Sequence, residues 1–379
     1  MRSHLVLRQV AAGFCLSLCL LAFARADSLR RIGTIQVPGA SAAHPFDVFD
    51  SGLVASRLNQ YLLSNISMKS VDVFEASTGK FLYRVPGFFG YQAPCCERVG
   101  PGSLELTGDT ELWATDADSS IKIIDLAARK IIESLSTGGH LRTDAMAYDS
   151  RDDLMAVNNP DDAVPFVTFV STHQGHAILG KIDFPRASAG LEASVWSPRT
   201  GLYYLAIPET DRNHMRGAIA VIDPVKQSVL RTIPIERCGP NSVALGPNDQ
   251  LLIGCRGAAR GNDYGFTPKT FMMDVRIEKV ESVADINGSD QTCYNPGDGR
   301  YYLSALGNPG GPVLATIEAA RQHRVLTAPS QHFAHSVAVD PVTNRAFVPF
   351  SSTPTDHDCM YGCIALYSVV GNGVSAVRQ

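Results

Sequence analysis

Residues 192–207 read EASVWSPRTGLYYLAI, and this stretch contains the pattern that decides the fold. Glu192 begins it, a short apolar segment follows, Ser197-Pro198 marks a turn, and a second apolar segment completes it. Two apolar segments joined by such a turn are typical of a β-hairpin. A carboxylate at the head of a core strand costs free energy unless it has a partner, so Glu192 is expected to face one.

The same pattern returns four more times along the chain. Successive copies are 48, 49, 49 and 45 residues apart. Between the copies lies a second strand–turn–strand unit, such as AIAVIDPVKQSVLRTIPI at residues 218–235. Four strands in roughly 45 residues are typical of one blade of a β-propeller. We call the first polar residue of each copy its opening residue, and the five are Asp144, Glu192, Asn241, Asp290 and His335.

Two weaker copies precede these five. HPFDVFDSGLVASRLNQYLLSN begins at His44, and GSLELTGDTELWATD begins at Gly102. The chain therefore contains seven units, which open near residues 45, 102, 144, 192, 241, 290 and 335. We predict an all-β fold, a single seven-bladed β-propeller over residues 27–379, with six or eight blades as the alternatives. A closed ring of blades leaves little exposed sheet edge, which keeps so many strands soluble.

The first 26 residues have the layout of a secretory signal peptide. A basic start, MRSHLVLRQ, is followed by the apolar run VAAGFCLSLCLLAFA and by small residues around Ala26. This layout predicts a secreted or periplasmic protein, with a membrane-anchored form as the alternative. The formal net charge of −4 provides no basic surface for nucleic acid or for an anionic membrane after signal cleavage, so neither is expected as a partner.

The cysteines of the mature chain suggest two bridges. Export permits disulfides. Cys359 and Cys363 bracket the short loop CMYGC, and Cys238 and Cys255 stand at the two ends of one hairpin. Both pairs are therefore predicted to be bonded. Cys293 lies inside a first strand and is expected to be a buried free thiol, while the pairing of the adjacent cysteines 95 and 96 stays open.

Two known propeller groups resemble this sequence. KIIDLAARKII and AVIDPVKQSVLRTI look like the bacterial YVTN-type propellers. EASVWSPRTGLYYLAI and PNSVALGP are similar to the E-x-P-x-W-x-P…L-Y-W and P-N-G-L-A-x-x-P motifs of the gluconolactonase and senescence-marker-protein family. That resemblance implies a divalent metal held by Glu192, Asn241 and Asp290. One departure is that the glutamate of the family belongs to the first blade of a generally six-bladed ring, whereas these three residues belong to adjacent blades.

The opening residues are predicted to meet near the propeller axis, because the first strand of each blade lines the central channel. Clustered carboxylates repel one another and raise each other's pKa, and a bound cation relieves that repulsion. Oxygen donors favour Ca²⁺, with Mg²⁺ next, and a histidine ligand would favour Mn²⁺, Zn²⁺ or Fe²⁺. The alternative is a channel filled with polar side chains and ordered water.

The resulting functional prediction is an exported, metal-dependent hydrolase of the lactonase type that acts on a small polar molecule. The metal would polarise a carbonyl and activate water, with Asp144 or His335 as general base. A Lewis-acid isomerase or lyase at the same site is one alternative. A non-catalytic propeller that binds a protein, glycan or small ligand is another, and a redox-subunit role is a third. Substrate contacts are predicted for His44, Arg142, Arg256, Tyr264 and His357.

Overall fold

The computed structural model describes residues 27–92, 98–173, 175–256, 267, 269–323, 325–331 and 333–371. These residues form seven four-stranded antiparallel sheets and one two-stranded hairpin. The predicted all-β, seven-bladed propeller is therefore confirmed. The predicted signal segment, cysteines 95 and 96, and Tyr264 lie outside the described residues.

Apart from the first strand of the chain and one short two-stranded hairpin, the strands follow the chain blade by blade, from the channel outward. The first half of the chain contains β1 (Ser28–Gln36), β2 (Gly52–Ala55), β3 (Gln60–Asn65), β4 (Ser70–Glu75), β5 (Phe81–Pro86), β6 (Gly90–Tyr91), β7 (Val99–Gly100), β8 (Leu104–Thr107), β9 (Glu111–Thr115), β10 (Ser120–Asp125), β11 (Lys130–Ser136), β12 (Met146–Asp149), β13 (Leu154–Asn159), β14 (Phe166–Ser171) and β15 (Ile178–Asp183).

The second half continues with β16 (Ser194–Ser197), β17 (Leu202–Ile207), β18 (Arg216–Asp223), β19 (Ser228–Glu236), β20 (Pro240–Leu245), β21 (Gln250–Cys255), β22 (Thr270–Asp274), β23 (Lys279–Ala284), β24 (Ser289–Asn295), β25 (Arg300–Ala305), β26 (Val313–Glu318), β27 (Val325–Pro329), β28 (Ala338–Asp340), β29 (Arg345–Phe350) and β30 (Cys363–Val370). Short 3₁₀ turns occur at Ser56–Leu58, Pro247–Asp249 and His357–Cys359. Within the described residues, no helix has the length and hydropathy that a membrane span needs.

Burial follows the position of a strand within its blade. All six residues of β13 are buried, because a central strand is covered by the neighbouring blade on each face. The outer strand β11 instead alternates exposed and half-buried residues, because it lies at the rim of the ring. The hydrophobic core is therefore a series of layers between blades, such as the one where Leu62 and Val73 of the first blade meet Leu112 and Ile124 of the second.

The first strand of the chain completes the last blade. β1 pairs antiparallel with β30, from Ser28 opposite Val370 to Gln36 opposite Cys363. The seventh blade thus has the strand order β1-β30-β29-β28, so the two ends of the described chain are joined by hydrogen bonds within one blade, which closes the ring.

The structure moves the opening of the first blade from the predicted region near residue 45 to Asp50. The inner strand of this blade begins at Gly52, and Asp50 precedes it by two residues, as Glu192 precedes Ser194. His44 lies earlier in the connecting segment and is exposed. The prediction placed this opening too early because the turn signal is weaker in this copy. The sixth residue after Asp50 is Ser56, whereas the corresponding residue is a proline in four of the clear copies and the serine of an Asp-Ser turn in the fifth.

Both predicted disulfides are present. Cys238 and Cys255 are bonded with their Cα atoms 4.9 Å apart, and Cys359 and Cys363 are bonded with the same Cα separation. Cys293 is a free cysteine, as predicted, but it is half-buried and packs against a core cluster rather than lying within it. Desolvation, with a smaller contribution from Asp298, raises the pKa of the Cys293 thiol to about 12, so the thiol is a poor nucleophile.

Candidate functional site

The opening residues lie together on one face of the ring. Each inner strand runs from its opening residue toward the other face and contacts the inner strands of both neighbouring blades. Six of the seven opening positions have polar side chains, and Gly102 fills the seventh. We call the resulting site the channel mouth, formed by Asp50, Gly102, Asp144, Glu192, Asn241, Asp290 and His335.

Glu192 faces an arginine. The Arg256 guanidinium forms an ion pair with Glu192 through Nη2 and Oε1, and each side chain is only 12% exposed. Arg256 Nε also donates a hydrogen bond to Asn241 Oδ1 at 2.7 Å. The carboxylate that is costly at the head of a strand is therefore neutralised by a residue of the next blade.

Asn241 carries the same network into the sixth blade. Its amide nitrogen donates to Asp290 Oδ1 and also to the Asp290 backbone oxygen, the latter at 3.3 Å. The Asn241 side chain is almost completely buried. Glu192, Arg256, Asn241 and Asp290 thus form a continuous chain of contacts across blades four to six, which we call the Arg256 network.

This arrangement bears on the predicted metal ligands Glu192, Asn241 and Asp290. An oxygen of Glu192 and the amide oxygen of Asn241 face the Arg256 guanidinium, and the amide nitrogen of Asn241 faces Asp290. Among the described residues, no group of three or more His, Cys, Asp and Glu side chains is arranged to hold a metal ion. Arg256 thus occupies one Glu192 oxygen and the Asn241 amide oxygen in this structure, and the metal role of these three residues stays a prediction.

The disulfide between Cys238 and Cys255 positions Arg256. Cys255 is the last residue of β21 and pairs with Pro240 of β20, while the backbone N–H of Arg256 donates to Gly239 O at 2.9 Å. The bond therefore fixes both ends of the hairpin next to Arg256. A fixed guanidinium loses less side-chain entropy when it forms its two contacts.

On the other side of the channel mouth, Arg142 lies between two carboxylates. Its Nη2 is 3.0 Å from Asp144 Oδ2, and its Nε donates to Asp161 Oδ2 at 2.7 Å. Burial disfavours the charged guanidinium, but Asp144 and Asp161 outweigh burial and raise the pKa of Arg142. Asp144, predicted as a general base, is thus held by an arginine in the structure.

Asp50 is the site residue that the sequence analysis missed. Gln291 Nε2 donates to Asp50 Oδ1 at 2.8 Å. Burial is the main cause that raises the pKa of Asp50 to about 7, with Asp144 and Asp290 adding to it and His335 and Arg142 opposing it. The signal was available in the sequence, because Asp50 stands as far before Ser56 as Glu192 stands before Pro198.

The predicted histidines lie in different surroundings. His335 stacks on Phe49 with ring centroids 4.8 Å apart, and its Nδ1 is 2.7 Å from Phe333 O. Because a carbonyl only accepts, Nδ1 must carry the proton, and a neutral ring keeps its lone pair on Nε2. His44 and His357 are exposed, the latter in a 3₁₀ turn of the seventh blade, and the predicted contact Tyr264 lies outside the described residues.

Fold and site together define a seven-bladed β-propeller with a charged channel mouth. No family model matches the chain, and no curated protein matches it. A chain in the crystal structure of the mitotic checkpoint complex is similar in structure, with a TM-score of 0.64 at 10% identity, covering 97% of this chain and 99% of that one.

The Pan2 WD40 domain of Neurospora crassa is also similar in structure, with a TM-score of 0.64 at 11% identity, covering 90% of this chain and 95% of that domain. At such identities the similarity concerns the fold alone. The YVTN-like and gluconolactonase-like motifs stay resemblances of sequence, and a propeller fold does not by itself define a function.

Proposed function

We propose that the protein is an exported propeller that binds a small polar ligand through a positively charged group at the channel mouth. The observation that carries the proposal is an imbalance of charge. The channel mouth itself contributes four carboxylates, Asp50, Asp144, Glu192 and Asp290, together with His335. The side chains in contact with it add two arginines, Arg142 and Arg256, and a fifth carboxylate, Asp161.

The two arginines leave the carboxylates unequally compensated. Arg256 pairs with Glu192, and Arg142 pairs with Asp144 and Asp161. Asp50 instead accepts its hydrogen bond from the neutral amide of Gln291. A half-buried carboxylate whose charged form is disfavoured destabilises the fold when it ionises, and perturbed carboxyl groups of this kind are concentrated at functional sites. An ammonium group supplies the missing charge and up to three hydrogen-bond donors for carboxylate oxygens.

Ligand binding can be tested on residues 27–379 by calorimetry at pH 8 with ethanolamine, putrescine, acetate and glucose as probes. We expect ethanolamine or putrescine, whose ammonium groups carry N–H donors, to bind at least about tenfold more tightly than acetate and glucose, which corresponds to about 1.4 kcal/mol. Asp50→Asn should weaken amine binding by a similar factor. Asp183→Asn is the matched control, since Asp183 lies on an outer strand with its side chain 56% exposed. Preferential binding of acetate, or equal behaviour of the two variants, would contradict the proposal.

The metal-dependent lactonase stays a prediction and is the second candidate. The observation in its favour is His335, whose Nδ1 is engaged with Phe333 O, so that Nε2 is the ring nitrogen left to act as a general base. Hydrolysis of δ-gluconolactone by the purified protein, measured with EDTA and then with Ca²⁺, Mg²⁺, Mn²⁺ or Zn²⁺ restored, tests it directly. Turnover that requires a metal and is lost in His335→Gln would favour the hydrolase over a non-catalytic binding protein.

A further inference from the structure

Asp50 differs from Glu192 in what the neighbouring blade offers it. Glu192 is paired with Arg256, the residue that follows the last residue of β21 in the next blade. In the second blade, the residue that follows β9 is Asp116, which forms an ion pair with Lys122. The blade next to Asp50 therefore has an acid at the position from which Arg256 neutralises Glu192.

The opening position of the second blade, Gly102, also leaves Asp50 without a partner. Gly102 is not in the left-handed region, so its backbone conformation does not itself require glycine. A Cβ at this position would, however, lie 2.7 Å from Thr115 Oγ1 and 3.7 Å from Asp50 Oδ2. A side chain would collide with Thr115, and the second blade therefore places none beside Asp50 from its opening position.

The charged groups that act on Asp50 come from the third, sixth and seventh blades; they are Arg142, Asp144, Asp290 and His335. Burial is the largest influence and disfavours the charged carboxylate, as do the two acids, whereas Arg142 and His335 favour it. Arg142 already forms ion pairs with Asp144 and Asp161. A proton, or the cation of a ligand, would each remove the cost of the Asp50 charge.

We infer that a proton and the ligand cation compete for Asp50, so that the channel mouth binds its amine above neutral pH and releases it on acidification. The inference rests on the proposed function, because it requires that an amine binds at Asp50. The carboxylate is accessible, since Asp50 is only half-buried, and its hydrogen bond from Gln291 engages Oδ1. A protonated Asp50 has no charge to attract an ammonium group, and its O–H donor would face the N–H donors of the ligand.

The expected size of the effect follows from the linkage between the two equilibria. The pKa of Asp50, raised to about 7, places the exchange in the neutral range. The ammonium group of a primary amine stays protonated there, as the lysine side chain does. If only the ionised carboxylate binds, lowering the pH from 8 to 6 should weaken binding about tenfold, and at pH 6 each bound amine should release about 0.9 of a proton.

The inference can be tested by calorimetry on residues 27–379 at pH 6, 7 and 8 with ethanolamine as the probe. Titrations in two buffers of different ionisation enthalpy give the number of protons released on binding. We expect Asp50→Asn to bind ethanolamine equally at the three pH values and to release no proton. The unmodified protein should therefore bind about tenfold more tightly than Asp50→Asn at pH 8 and about equally at pH 6.

Glu105→Gln is the matched control. Burial raises the pKa of Glu105 to about 7 as well, but Glu105 lies within β8 and not at an opening position. Its titration covers the same pH range and is not coupled to a ligand at Asp50. This variant should therefore release the same number of protons as the unmodified protein and keep the tenfold change in affinity.

The outcomes separate the inference from the proposed function. If ethanolamine does not bind the unmodified protein at pH 8, the proposed function fails and the inference fails with it. If ethanolamine binds equally at pH 6 and pH 8, or if Asp50→Asn still releases a proton, the inference alone is overturned. Loss of the proton release in Glu105→Gln would also overturn it, because the exchanged proton would then belong to Glu105.

Discussion

Glu192 and Asp50 are acidic residues at equivalent positions on two sides of the channel mouth, but their ion-pair and hydrogen-bond partners differ. Glu192 forms an ion pair with Arg256, whose second contact holds Asn241. Asp50 receives a neutral amide hydrogen bond and lies near the charges of Asp144 and Asp290. On the first side, the Glu192 carboxylate is neutralised by the Arg256 guanidinium. On the second side, the charged form of Asp50 is disfavoured, and the cation of the proposed ligand would stabilise it. Variants on the two sides are therefore expected to change stability in opposite directions.

The largest effect should come from removing the guanidinium that both contacts share. Arg256→Met leaves Glu192 with an uncompensated charge and Asn241 Oδ1 without its donor, and we expect a loss of about 3–4 kcal/mol in the free energy of unfolding. Urea unfolding measures it. Lys226→Met is the control, because Lys226 is 72% exposed in its pair with Asp223 and should matter little. Equal losses of unfolding free energy in Arg256→Met and Lys226→Met would show that the Arg256 network does not stabilise the fold.

The second-largest loss of stability is expected when the Cys238–Cys255 disulfide, which lies beside Arg256, is removed. Cys238→Ala with Cys255→Ala opens a link across a sequence separation of 17 residues, and chain entropy predicts a loss of about 3 kcal/mol. The pair Cys359→Ala with Cys363→Ala spans a separation of 4 and should cost about 2 kcal/mol. Thermal unfolding of the two double variants measures the difference, and a larger loss from the second pair would contradict the role given to the first.

Glu192→Gln should destabilise the structured side by less. The amide keeps a hydrogen-bond acceptor for Arg256 but loses the charge, so we expect a loss of about 1–2 kcal/mol in the free energy of unfolding. Amine binding at the channel mouth should persist, because Asp50 is untouched. If the variant instead abolished metal-dependent lactone turnover while stability stayed unchanged, the predicted metal role of Glu192 would be supported over its role in the Arg256 network.

The smallest effect should have the opposite sign. The folded-state pKa of Asp50 is raised from 3.8 to about 7, so the folded protein binds more protons than the unfolded chain between about pH 4 and pH 7. Its stability therefore falls as pH rises through that window. Asp50→Asn should stabilise the protein by about 1–2 kcal/mol at pH 8 and have little effect near pH 4.

Measuring the pH dependence needs a second variant. Burial also raises the pKa of Glu105 to about 7, so Glu105 contributes a slope of the same sign. Asp50→Asn should reduce the decline in melting temperature between pH 4 and pH 7, and Asp50→Asn with Glu105→Gln should reduce it further. If Asp50→Asn instead destabilised the protein at pH 8, the charged Asp50 carboxylate would be stabilised by its surroundings, as Glu192 is by Arg256. That result would contradict the difference inferred between the two sides.

The sequence alone determined the ring of blades. Each hairpin is encoded by consecutive residues, with apolar strands and a turn at a fixed place, so a period of 45 to 49 residues identifies the blades before any tertiary contact is known. The two disulfides found among the described residues could be predicted for the same reason, because Cys238 and Cys255 close one hairpin and Cys359 and Cys363 one short loop.

The tertiary structure decided what each opening residue contacts. Arg256 stands 64 residues after Glu192 in sequence and reaches it only because the fourth and fifth blades pack side by side. Gln291 and Asp50 are 241 residues apart and meet only across the closed ring. A local pattern reports which residues lie at the channel, but the partner that neutralises a charge there comes from another blade, and only the packing of blades fixes its identity.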